Sequence, residues 1–172
     1  MLICDDLGTE SADFVAASFS KRQLALIHAK EGGGKKISAS AFHDVVAQAM
    51  KNLVYLTRSS EVPAGVGTWW RAAKWNKTSV PRLYRAPNGI PVKVALWKKI
   101  KSDIIGSSNP ELYVVLVTTG CCDINALTEA VADPKKRTAE VGQLVHLLDG
   151  LSGYARQIGV RLAIYDLPYK QP

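Results

Sequence analysis

Cysteine is scarce in this 172-residue chain, and its three thiols fit no zinc-binding or disulfide-framework spacing. Cys4 stands alone, and Cys121-Cys122 are adjacent, a pair whose disulfide would close a strained small ring. Disulfide scaffolds and zinc ribbons are therefore excluded, and reduced, buried thiols in a cytoplasmic protein are expected. Long apolar runs are lacking too. No segment approaches the ~18 consecutive apolar residues of a membrane helix, and no signal peptide opens the chain. There is no internal repeat. The first residues, Leu2-Ile3-Cys4, run straight into a strand, the start expected of a domain cut from a longer parent chain whose other domains would be partners.

The most informative absence is of negative charge. Between Glu61 and Asp103 there is no acidic residue, while the same interval holds nine basic ones: Arg71, Lys74, Lys77, Arg82, Arg85, Lys93, Lys98, Lys99 and Lys101. Subtracting these nine from the net charge of +7 leaves −2 for the rest of the chain. Segregation on this scale predicts a polyanionic partner, with a merely solvated basic face as the alternative. Trp69, Trp70, Trp75 and Tyr84 lie among these basic residues, either to stack on bases or to cover the core of an inserted segment near 61–90.

What is present reads as one α/β domain over residues 1–172. An apolar share of 47% and a charged share of 22% are ordinary for a globular chain long enough to bury a core. Leu2 to Asp6 is a short strand, with Asp5 a turn residue. Phe14–Ala17 and Leu24–Ile27 flank Ser20-Lys21-Arg22 as a hairpin. Centred on Ser20-Lys21, it sets Asp13 opposite His28 and puts His28 and Lys30 on one face. Gly32-Gly33-Gly34-Lys35-Lys36 lacks the spacing of a nucleotide phosphate loop and reads as a flexible connection whose lysines touch a phosphate backbone. Ser38 caps a helix from Ala39 to about Arg58, with His43 near its start and Gln48 beside its core stripe. Residues 90–105 leave strand-to-helix and all-helix readings open. Leu112–Thr118 is a buried strand, Asp123–Ala132 and Ala139–Gln157 are helices, and Val160–Leu167 is a last strand, joined by a crossover that implies parallel pairing. The fold class is a mixed β-sheet flanked by α-helices, expected on both of its sides.

An Asp opening one strand, then a polar residue, a spacer and a Lys closing the next, followed by a helix carrying Gln48, resembles the PD-(D/E)XK (restriction-endonuclease-like) nuclease superfamily. The likeness covers Asp13 to Gln48, with His28 where the family usually has Asp or Glu and Asn52 where it has Tyr. The resemblance implies a metal-dependent endonuclease, a phosphodiester hydrolase of DNA before RNA, using Mg²⁺ or Mn²⁺. Asp13 and His28 would hold the ion, Lys30 would stabilise charge on the phosphate, and Gln48 would hydrogen-bond the phosphate or Lys30. Asp6 and Glu10 are further carboxylate candidates. Lys35, Lys36, Arg71, Lys74, Arg82, Arg85, Lys98 and Lys99 would bind nucleic acid. The likeness extends loosely to nuclease-like domains of helicase-type proteins in bacterial defence and repair. The alternative is a degraded nuclease fold that binds nucleic acid without cutting.

Overall fold

A computed structural model of the chain describes residues 1–5, 11–69, 74–75, 78–84 and 94–168. Its frame is one six-stranded mixed sheet. The strands are β1 (Leu2–Cys4), β2 (Phe14–Ser18), β3 (Gln23–Glu31), β4 (Leu83–Tyr84), β5 (Glu111–Thr119) and β6 (Val160–Leu167), in the order β4-β1-β2-β3-β5-β6. β2 and β3 form the expected hairpin, in the register Phe14↔Ile27 to Ser18↔Gln23. β1 and β4 extend its antiparallel side. β5 and β6 pair parallel on the other, through connections long enough to cross over.

The helices are α1 (Ala39–Asn52), α2 (Val94–Ile100), α3 (Ile124–Ala132) and α4 (Ala139–Gln157). Phe42, Val45, Val46 and Ala49 form the buried stripe of α1. Beyond Asn52 the coil tightens to a 3₁₀ turn, Leu53–Leu56, so α1 stops short of Arg58. Asp123 caps α3 by accepting from the Ala126 amide at 2.9 Å, and Thr138 caps α4 through the Val141 amide. α2 continues into a wider π-helical turn, Lys101–Ile105, so residues 94–105 are helical, while residues 90–93, where a strand was the other reading, lie outside the described residues. Among the described residues no helix is long and apolar enough to cross a membrane.

Strand alternation divides the sheet into two unlike faces. Leu24 and Leu26 of β3, Leu112, Val114 and Leu116 of β5, and Val15 of β2 are buried and share one core with residues from all four helices. The opposite face carries Ala16, Ala25, Tyr113, Val115, Ala163 and Tyr165, none of which belongs to that core. The described helices thus lie on one side of the sheet, where both sides were expected. β5-α3-α4-β6 is a crossover between parallel neighbours, and the longer connection from β3 to β5, which passes through β4, carries α1 and α2 into the same core.

The basic, aromatic-rich segment supplies core. Trp69 and Trp97 are fully buried and meet edge to face at 6.0 Å, with Tyr55 on the other side of Trp97. The Trp69 indole donates to the carboxylate of Asp5, which also accepts from the Ser11 amide at 2.9 Å and the Ser11 hydroxyl at 2.7 Å. Asp5 is therefore a fully buried anchor tying the end of β1 to Ser11 and Trp69, and more than a turn residue.

Candidate functional site

β3, β5 and β6 all point their carboxyl ends at one edge of the sheet, the side on which open α/β sheets commonly bind ligands. There an open cavity of about 560 Å³ is lined by Asp13, Ala29, Lys30, His43, Asp44, Ala47, Gln48 and Lys51. Hairpin register brings Asp13 and Lys30 together, and α1, packed across β3, presents Gln48 to them. Asp13 accepts from the Ala29 amide at 2.7 Å, which aligns the end of β2 with β3. Lys30 and Asp44 form an ion pair at 3.0 Å across the cavity. Three sequence-predicted residues, Asp13, Lys30 and Gln48, thus converge.

His28 requires correction. It shares the face of Lys30, but its ring is 1% exposed, beneath α1, and does not line the cavity. Among the described residues its Nε2 has no hydrogen-bond partner, nor has the Thr118 hydroxyl on the neighbouring strand. Burial, with the Lys51 charge added, lowers the imidazole to about 4. His28 is therefore neutral at ordinary pH, as a ligand would be, but it is sealed from the cavity, and that placement does not suit a metal ligand beside Asp13. Strand alternation gives the face of a side chain; how deep it lies depends on the helix that crosses it.

A stability prediction follows. The folded imidazole titrates near 4 and the unfolded one near ~6.5, so the unfolded chain binds the extra proton first. Stability should be full above pH ~6.5 and fall by about 3 kcal/mol as pH drops toward 4. His28→Gln should flatten this acid limb in urea titrations. An equally steep limb in the variant would assign the proton elsewhere.

Asp44 and Lys51 are charged cavity residues that sequence reasoning missed. The available signal was that Asp44 stands four residues before Gln48, so the two share a helix face. His43, near the start of α1, is exposed on the cavity rim, 4.0 Å from Asp44. Asn52 is buried, so the helix face through Gln48 does not continue into the cavity.

The other candidates scatter. Lys35 and Lys36 line a smaller cleft with Asp123 and Asp166, whose carboxyl is raised by burial and then by Asp123. Their loop is less free than the glycine run implied. Gly32 lies so close to Gly120 and Cys121 that any side chain would collide, and the Lys36 carbonyl accepts from the Asp123 amide at 2.6 Å. Arg82 is a second correction: it is 6% exposed and donates to the Cys4 carbonyl at 3.3 Å, so it braces β1 and is withdrawn from solvent. Lys74 is exposed. Lys98 and Lys99 are exposed on α2, and Lys99 pairs with Asp103 away from the cavity. Asp6, Glu10, Arg71 and Arg85 lie outside the described residues.

The donor chemistry distinguishes between ions. Asp13 and Asp44 are hard oxygen donors, the kind Mg²⁺ or Mn²⁺ takes when one or two carboxylates are completed by water and substrate phosphate. No group of three or more His, Cys, Asp or Glu side chains is arranged to hold a metal among the described residues. An ion here would therefore depend on a phosphate for the rest of its shell. No protein-family model, curated protein or solved structure matches the chain.

Proposed function

We propose that the cavity takes a phosphodiester of nucleic acid and that the chain is a metal-dependent nuclease, acting on DNA before RNA, in the cytoplasm. The observation that carries this reading is the meeting of Asp13, Lys30 and Gln48 in one open cavity at the carboxyl end of β3. Asp13 and Asp44 would hold Mg²⁺ or Mn²⁺, which polarises the phosphate and acidifies a bound water. The Lys30 ammonium, now paired with Asp44, has the charge and reach to turn to a phosphate oxygen. Its attraction strengthens as the phosphate gains negative charge in the transition state. Gln48 offers an amide donor to the same group, and Lys51 adds positive potential on the cavity wall. The resemblance to PD-(D/E)XK nucleases supports the same assignment for Asp13, Lys30 and Gln48.

A second reading, a nucleic-acid-binding module that does not cut, is favoured by the burial of His28 and by the two-carboxylate donor set. Supercoiled plasmid, single-stranded DNA and RNA incubated with Mg²⁺, Mn²⁺ or chelator separate the two. Cleavage that needs the ion supports the nuclease. Binding without cleavage in every ion supports the module, and the absence of both overturns the cavity assignment.

A further inference from the structure

We infer that the chain carries a second nucleic-acid contact surface, at the pole of the sheet opposite the cavity. This goes beyond the cavity reading and stands on different residues. The turn Phe19–Arg22 closes the β2–β3 hairpin at the end remote from Asp13 and Lys30. Arg22 reaches the Ser108 hydroxyl at 3.4 Å, and Arg58 reaches the neighbouring Ser107 carbonyl at 3.1 Å, so both guanidinium groups converge on one loop. The Lys99 ammonium lies 5.7 Å over the ring of Phe19, which brings α2 to the same turn. Lys21, next to Arg22 in the turn, and Lys98, next to Lys99 on α2, are exposed as well.

Five exposed cations thus come from three separated parts of the chain: the hairpin turn, the segment after α1, and α2. The acids beside them are already engaged: Asp103 by Lys99, and Glu111 by Gln23. These two hydrogen bonds hold both carboxyls below their ordinary range. An excess of like charge drawn together by the fold repels itself and is relieved by a polyanion. Eight residues of β3 separate Arg22 from Lys30, about 26 Å at the usual strand rise. That exceeds the ~8–10 Å Debye length, so the pole acts as a contact in its own right and does not merely extend the field of the cavity. A phosphate backbone is the partner favoured here. Arginine and lysine bind phosphate well, and Lys98 and Lys99 are the described, exposed end of the acid-free interval.

The test is a salt titration of a 30-base-pair DNA duplex by fluorescence anisotropy, in chelator, with three proteins: wild type, the pole variant Lys21→Gln/Arg58→Gln/Lys98→Gln/Lys99→Gln, and the cavity variant Lys30→Gln/Lys51→Gln. All four pole side chains are exposed, so melting temperatures should agree with wild type. The pole variant should bind at least about tenfold more weakly at 100 mM salt. Its slope of log affinity on log salt should be smaller by about 2–4, near 0.9 for each phosphate that is no longer neutralised. The cavity variant should keep that share of the slope. A pole variant that binds DNA like wild type overturns the inference, and does so decisively if it has instead ceased to bind poly-glutamate, since the pole would then serve an acidic protein. A reduced slope in the pole variant alone, with the cavity variant unchanged and no ion-dependent cleavage by wild type, would leave this surface standing and sink the cavity reading.

Discussion

Asp13→Asn should lower ion-dependent cleavage by about 10²–10³-fold or more, with the melting temperature and most duplex affinity retained. The amide oxygen can still accept the hydrogen bond from Ala29, so the end of β2 stays in register. What disappears is the full negative charge on one of the two carboxylates that line the cavity among the described residues. Lys30→Ala should cost a similar factor for the opposite reason. It deletes the cation facing the phosphate and leaves Asp44, already well exposed, to solvent at little energetic cost. If both groups act on one transition state, as proposed, the double variant should be hardly worse than either single one. Asp44→Asn separates two roles for the helix carboxylate. If Asp44 only restrains Lys30, the variant should retain activity at unchanged ion concentration. If Asp44 helps hold the ion, it should need more Mn²⁺ to reach the same rate. Wild-type rates in both Asp13→Asn and Lys30→Ala would remove the cavity from the chemistry altogether.

Asp5→Ala should be the most damaging substitution to the fold itself, costing about 3–5 kcal/mol. Its carboxylate is the common acceptor for the Trp69 indole and for the amide and hydroxyl of Ser11, all in a buried setting. Truncation strands three donors at once, and water has no ready route to them. Asp5→Asn should be milder, since one oxygen remains to accept. Urea unfolding followed by tryptophan fluorescence measures both, because Trp69 reports directly on the bond. A destabilisation below about 1 kcal/mol for Asp5→Ala would mean that the network relaxes onto other acceptors.

Much of this architecture is legible in local pattern. The hairpin register follows from alternating residues and a polar turn, α4 and β6 have the predicted bounds, and Asp123 caps α3. Each of these depends on neighbours within a few residues. The end of α1 was not legible, because Leu53 and Leu56 are three residues apart, a spacing that suits a 3₁₀ turn as well as an α-helix. The site was only partly visible. Alternation places His28 and Lys30 on one face, but the packing of α1 decides that one is sealed in and the other faces solvent. The Lys30–Asp44 pair likewise exists only once α1 lies across β3. Net charge could not reveal that Arg82 turns inward to a backbone carbonyl while Lys98 and Lys99 stay outside at the far end of the sheet.

The parallel pairing of β3 with β5 also bears on how the chain reaches its native state. Gln23 bonds Glu111 across 88 residues, whereas β2 and β3 meet through a four-residue turn. The hairpin can close in about 1–10 μs, but the ladder beside it must wait for a long loop to close. Until β5 arrives, Leu24 and Leu26 lie on an unprotected edge able to pair with another chain. Folding should therefore be slow for this size, on the order of milliseconds to seconds, with yield falling as protein concentration rises. Refolding at graded concentrations, followed by stopped-flow tryptophan fluorescence, would show this, and concentration-independent yield would mean that the edge is shielded early. On a ribosome, β3 would emerge long before its partner, making the interval between residues 31 and 111 the period of greatest exposure to aggregation.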